Sequence, residues 1–228
     1  APATRQRARS VILPPMLDVP GLVSRYVPPA DGGPVRRVIV VLHGRGDSPA
    51  GFYWLAPELD LPEAAYLLLQ APDDYFGGWS WYDLPPDQGP GILRSRQLLF
   101  QALDALAAQG VASADVVLFG FSQGCLMVID VGLRYPGVLA GVCGVSGYVM
   151  WPERAAAEAT AHAKTMPWLI TDGSLDEVVP HALTAEGVAA LQAAGLPVDY
   201  RTYPKGHTID PREELPLLRE WLAARIRR

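Results

Sequence analysis

Cysteine is scarce: a chain of 228 residues carries two, Cys125 and Cys143. Both stand in apolar surroundings, so buried free thiols are expected and a disulfide framework is not. A chain of this length buries a continuous core without covalent staples. No apolar run approaches the roughly 18 residues of a membrane-spanning helix, so stable membrane insertion is not expected. Dense Lys/Arg blocks are also missing, and the formal net charge is −5. Phosphate recognition needs a concentrated basic surface, which leaves nucleic acid out of the expected partners. Residues 1–10 are polar, with Arg5, Arg7 and Arg9, and lack the apolar stretch of a secretory signal, which favours a cytoplasmic location. Arg225, Arg227 and Arg228 are expected to face the negative end of a final helix dipole. What remains, 50% hydrophobic and 19% charged residues, is the composition of a globular protein.

Short β-branched apolar runs alternate with longer helical patterns, the mark of a parallel α/β sheet. Strands are expected at 35–42, 65–70, 115–119, 139–145, 168–171 and 198–203. Their near-continuous apolar character suits burial on both faces. Helices are expected at 92–109, ending at Gly110, at 123–135, ending before Pro136, at 182–194, ending at Gly195, and at 213–227. Pro216 fits the last of these only in its first turn. No repeat and no Pro/Gly linker divides the chain. Residues 1–30 read as an N-terminal segment with a possible first strand, and 31–228 as one domain. Between 71 and 91 runs an aperiodic connection rich in aromatics and proline, and loops this long in compact domains are usually functional. Its Trp79, Trp81 and Tyr82 argue for order, because such side chains gain most by packing.

Gly120-Phe121-Ser122-Gln123-Gly124 fits G-x-S-x-G and falls between a predicted strand and a predicted helix. In that setting the serine occupies a sharp turn that needs flanking glycines, and its Oγ stands at a helix N-terminus, where oxyanion charge is favoured. A serine hydroxyl becomes a nucleophile only when a base removes its proton. Of four histidines, His207 follows the last strand and comes after the serine in the order Ser–acid–His. His181 reads as a helix-start residue at the site rim, His43 as structural and His162 as peripheral. The acid belongs on the loop after strand 168–171, which offers Asp172, Asp176 and Glu177. Asp172 reads as a turn-former capping Gly173 and Glu177 as solvated, so Asp176 is the expected partner of His207. A tetrahedral intermediate needs two donors. The backbone N–H of Gln123 supplies one and that of Arg45, between Gly44 and Gly46, supplies the other. Asp47 is expected to bond loop amides.

Together, LHGRGD at 42–47, WYD at 81–83, GI at 91–92, GFSQG at 120–124, DGSLDEVVP at 172–180 and GHTI at 206–209 resemble the carboxylesterase/phospholipase family that contains the acyl-protein thioesterases. The segments run in the family's order over most of the chain. The resemblance implies an open α/β-hydrolase fold without a large cap, no metal and no organic cofactor. It also implies Ser122, Asp176 and His207 as a triad, Arg45 and Gln123 as oxyanion donors, and a Trp81 loop that walls the substrate pocket, with Trp79 and Tyr82 beside it. Arg45 departs from the apolar residue usual there, and a cation beside the site is expected to favour anionic substrates. Asp172 stands where a His is frequent.

The expected activity is hydrolysis of small-to-medium acyl esters, a small-molecule substrate, through an acyl-enzyme. The alternatives are a thioesterase or lysophospholipase acting on long chains, and a non-catalytic binding protein on the same fold. A dienelactone-type hydrolase with a cysteine nucleophile would have to use Cys125, which reads as core packing. Phe52, Tyr53, Trp79, Trp81 and Tyr82 offer an acyl platform, while Trp54 is expected in the core. Nothing in the sequence assigns an oligomeric state.

Overall fold

A computed structural model describes residues 17–227 of the chain. The polar segment with Arg5, Arg7 and Arg9 lies outside the described residues, as does Arg228. In chain order the elements are β1 (Ser24–Val27), β2 (Val38–Leu42), α1 (Leu55–Leu59), β3 (Ala65–Leu69), β4 (Asp73–Tyr75) and β5 (Gly78–Ser80). They continue with α2 (Gln88–Ala108), β6 (Val116–Phe121), α3 (Gln123–Arg134), β7 (Gly141–Val145), α4 (Ala155–Glu158) and β8 (Trp168–Gly173). The last three are α5 (His181–Ala193), β9 (Val198–Tyr203) and α6 (Glu214–Ile226).

Seven strands form one sheet in the order β1-β3-β2-β6-β7-β8-β9. All neighbours run parallel except β1, which closes the edge antiparallel to β3. Because side chains alternate along a strand, each strand feeds two cores. Val38, Val40 and Leu42 of β2 face one side with Leu99, Leu103 and Leu106 of α2, Leu126 of α3 and Leu191 of α5. Ile39 and Val41 face the other with Leu55 and Leu59 of α1 and Leu218, Trp221 and Leu222 of α6. Helices cover both faces of a parallel sheet, so the strands read as continuous apolar runs. The result is a single-domain α/β-hydrolase fold.

Sheet order also locates the site. The chain moves from β2 outward to β3, then crosses back to place β6 on the other side of β2. Loops leaving adjacent strands at such a reversal diverge and open a crevice at the carboxyl ends. Leu42 and Gly120 lie in register there, so the loop after β2 and the turn after β6 are neighbours.

Three local expectations change. The connection 71–91 contains a small antiparallel hairpin, β4–β5, and α2 already begins at Gln88. The run Gly89-Pro90-Gly91 disguises that first turn, yet Pro is tolerated where N–H groups have no helical partner. Gly91 is required by contact: a Cβ would sit 2.8 Å from Tyr82 Cα. Trp54 does not join the core; it is 38% exposed and precedes α1. Asp172 belongs to β8 rather than to a turn, and is buried.

Candidate active site

β6 passes into α3 through Ser122 alone, whose backbone lies at φ 56°, ψ −116°. A non-glycine residue in such a conformation costs about 1–3 kcal/mol and persists where its surroundings over-determine it. Here the surroundings are glycines. A Cβ on Gly120 would stand 2.2 Å from the Gly124 carbonyl oxygen, and one on Gly124 would stand 2.2 Å from that of Leu42. The turn closes only without those carbons, and it sets the hydroxyl at the positive end of α3. The Ser122 N–H donates to the Val145 carbonyl at 2.9 Å, fixing the turn to β7.

His207, on the connection from β9 to α6, brings Nε2 to 2.8 Å from Ser122 Oγ and Nδ1 to 2.7 Å from Asp176 Oδ2. The other Asp176 oxygen accepts the N–H groups of Val178 at 2.8 Å and Val179 at 2.9 Å. An ionised carboxylate only accepts, so Nδ1 carries the proton and the Nε2 lone pair faces the serine hydroxyl. The two loops meet because nothing separates them: a Cβ on Gly173 would lie 2.3 Å from the Lys205 carbonyl oxygen. Lys205 itself points inward. Its Nζ meets Glu214 at 2.7 Å, the Thr208 carbonyl at 2.6 Å and Ser146 Oγ at 3.1 Å. Glu214 in turn accepts the Asp210 N–H at 2.8 Å, so the histidine loop is tied on both sides of His207.

The other wall is the loop after β2. Gly44 approaches the serine closely enough that a Cβ would stand 3.2 Å from Ser122 Cβ. Gly46 adopts φ +79°, donates its N–H to the Trp79 carbonyl at 2.8 Å, and is met in return by Trp79 N–H on the Asp47 carbonyl at 2.9 Å. Asp47 Oδ1 also accepts the Ser48 N–H at 2.7 Å. Trp79 thus acts through its backbone, holding residues 45–47 in place, and its ring packs on the core. Trp81 is fully buried, with Nε1 on the His43 carbonyl at 2.9 Å. Of the three aromatic residues expected to wall the pocket, Tyr82 alone lines it.

Gln123, next to Ser122, has a buried and fully engaged side chain. Its side-chain oxygen accepts from the Trp81 N–H at 2.9 Å and Ser80 Oγ at 3.2 Å, while its Nε2 donates to the Tyr82 carbonyl at 2.7 Å. The residue beside the serine therefore grips the 80–82 segment.

These walls enclose a cleft of about 560 Å³. Ser122, Gln123, His207 and Arg45 stand at one part of it, and Leu84, Val149, Met150, Trp151, Val178 and Leu183 supply apolar surface. The stretch Tyr148-Val149-Met150-Trp151 had a readable signal, an aromatic-apolar run just past the carboxyl end of a strand. Tyr82 and Tyr148 hydrogen-bond one another, and burial raises the pKa of both phenols, which remain neutral.

A model of the phospholipase/carboxylesterase family matches residues 29–225. The chain belongs to that family. It is similar to acyl-protein thioesterase 1 of Schizosaccharomyces pombe, 30% identical over 160 residues that cover 64% of this chain and 71% of that protein. A probable carboxylesterase of Oryza sativa subsp. japonica is 29% identical over 223 residues, covering 89% and 84%. Among solved structures, esterase PE8 superposes with a TM-score of 0.80 at 28% identity, over 89% of this chain and 98% of that one. Membership makes this protein a hydrolase. Among the described residues no helix is long and apolar enough to cross a membrane.

The remaining titratable groups near the site have other occupations. His43 is buried, its Nδ1 on the Gly44 carbonyl at 2.6 Å and its Nε2 accepting the Ala71 N–H at 3.1 Å; burial lowers its pKa. His181 pairs with Asp172 at 2.6 Å, and Tyr200 donates to the same carboxylate oxygen at 2.8 Å. Cys125 is fully buried one turn past Ser122, and burial pushes its thiol pKa up. Its sulfur packs where a Cβ on Gly147 would be 2.6 Å away, which leaves no room for an attacking thiolate.

Proposed function

We propose that this hydrolase is a serine carboxylesterase cleaving small-to-medium acyl esters through an acyl-enzyme, with Ser122, His207 and Asp176 as its triad. The observation that carries the reading is the pair of contacts at 2.8 and 2.7 Å that joins Ser122 Oγ to His207 and His207 to Asp176, at the edge of an open cleft. Ser122 Oγ attacks the ester carbonyl carbon while its proton passes to His207 Nε2. Asp176 holds the imidazole in that tautomer and stabilises the imidazolium. The backbone N–H groups of Gln123 and Arg45 receive the charge that develops on the carbonyl oxygen. The bond to the alcohol oxygen then breaks as His207 returns the proton to it. Water, deprotonated by the same nitrogen, attacks the acyl carbon and releases the acid and free Ser122. No step calls on a metal or organic cofactor.

The cleft is of the size that holds a small organic ligand, and its apolar lining suits an acyl chain. That lining also supports a second reading, deacylation of long-chain substrates, in keeping with the name of the S. pombe relative. Initial rates on p-nitrophenyl esters from acetyl to palmitoyl, with Ser122→Ala beside the wild type, separate the readings. Fast cleavage of short esters and a dead variant are expected. A long-chain optimum would shift the function to thioester or lipid deacylation. Absence of turnover at every length would leave a binding protein on the hydrolase fold.

A further inference from the structure

The proposed chemistry uses Arg45 only through its main chain, and the side chain has its own disposition. The guanidinium lies over the Tyr75 ring at 5.1 Å and lines the cleft with Ser122 and His207. Its Nη1 is buried and has no hydrogen-bond partner, and among the described residues Arg45 forms no ion pair. A buried N–H of a charged group left unmatched costs free energy that a correctly placed acceptor recovers. Stacking on Tyr75 holds the plane of the fork without occupying its donors. Asp47 and Asp74, on the adjoining loop and hairpin, form no ion pair with Arg45 among the described residues. Its neighbour Tyr82 is an uncharged phenol, and Glu186, the acid that also lines the cleft, is exposed to solvent that screens its charge.

Position adds a distance constraint. The backbone N–H of residue 45 is the proposed donor to the scissile carbonyl, so the guanidinium sits one arginine side chain from the reacting carbon. A planar fork at that remove matches the two oxygens of a carboxylate, or two of a phosphate, bidentately. We infer that the Arg45 side chain is a specificity determinant selecting esters that carry a second, anionic group, a carboxylate or phosphate, within an arginine's length of the ester carbonyl. This rests on the esterase reading above and names the substrate class within it.

Two substrate pairs test it, each an anionic ester and a neutral one of matched length. The p-nitrophenyl monoester of glutaric acid against p-nitrophenyl pentanoate places the anion on the acyl side. Acetylated glycerol phosphate against acetylglycerol places it on the alcohol side. The ratio of kcat/KM, anionic over neutral, is read for wild type, Arg45→Met and Arg45→Lys. In at least one pair the wild-type ratio is expected to exceed that of Arg45→Met by about tenfold or more, with Arg45→Lys between them because it keeps the charge and loses the fork. The responding pair identifies which side of the ester carries the anion. Should Arg45→Met fail to fold, the wild type decides by salt: its ratio must fall as ionic strength rises. Ratios that agree within about twofold between wild type and Arg45→Met in both pairs, or that ignore salt, overturn this inference while the esterase reading stands. Absence of turnover on the neutral and anionic esters alike brings down both.

Discussion

Two aspartate–histidine pairs leave the end of β8 within four residues of each other, and they sit in different surroundings. Asp176 meets His207 at 2.7 Å, and Asp172 meets His181 at 2.6 Å. Both carboxylates are buried, with side chains 1% and 2% exposed. The distinction lies in what surrounds each pair. Asp176 has one oxygen filled by two backbone N–H groups and gives the other to His207 alone. Asp172 places His181 and Tyr200 on a single oxygen and leaves its buried Oδ1 without a partner. The far nitrogen of His207 faces Ser122, whereas the His181 side chain is 41% exposed. A satisfied carboxylate and a serine hydroxyl at the other nitrogen distinguish the two pairs.

The comparison breaks most visibly by removing each ring. His207→Ala is expected to lower kcat on a short ester by about 10⁴-fold or more, while His181→Ala changes it by less than about threefold. Parallel rate measurements suffice, and comparable losses would make the two pairs equivalent. Replacing each acid sharpens the contrast. Asp176→Asn turns an acceptor into a donor, forces the opposite tautomer on His207 and puts a proton on the nitrogen that must receive one. A loss of about 10³–10⁴ in kcat is expected with the fold intact. Asp172→Asn still accepts from Tyr200 and removes a charge from a buried site. Its kcat should stay within about threefold, with unfolding free energy changed by less than about 1.5 kcal/mol. A collapse in kcat for Asp172→Asn with an unchanged melting curve would give the second pair a catalytic part.

A buried ion pair also underlies one histidine and not the other. Lys205 and Glu214 are 4% and 0% exposed at the side chain and bracket the loop carrying His207. Lys205→Met strands the Glu214 charge, and a loss of about 3–5 kcal/mol is expected in urea unfolding. Lys205→Met combined with Glu214→Leu should recover much of that loss, since an apolar pair carries no stranded charge. Equal destabilisation of single and double variants would refute the pairing as the source.

The serine turn and the parallel strands were legible because their constraints are local: glycines flank Ser122 at contact distance, and strands buried twice show unbroken apolar runs. The hairpin at 73–80 was not, since three-residue strands have too little period to read and are held by Gly46 and Asp47, some thirty residues away. Trp81 illustrates the same limit. Composition marked its segment as important, but only the fold decides whether a ring lines the cleft or lies under His43, and burial put it underneath. Asp172 resembled a turn-former because its partners, His181 and Tyr200, are 9 and 28 residues distant.

His43 differs from His207 in burial: it is 1% exposed, and the nearby Asp47 and the Gly44 carbonyl favour its charged form less than burial opposes it. Its Nε2 accepts the Ala71 N–H, so a second proton would break that bond and place a charge where water cannot reach. Burial accordingly holds its folded pKa below 6.5, the value expected of an exposed ring. Below pH 6.5 the unfolded chain takes up a proton that the folded chain refuses until the lower folded value is reached. Stability from this group is therefore fully present above pH 6.5 and lost as pH falls from there toward the folded pKa. His43→Gln keeps an acceptor and cannot charge. Between pH 6.5 and about 5, its unfolding free energy should decline less steeply than that of the wild type, the other histidines being common to both. Identical slopes would mean that the ring beneath the cleft charges as easily as an exposed one, and that burial does not hold its pKa down.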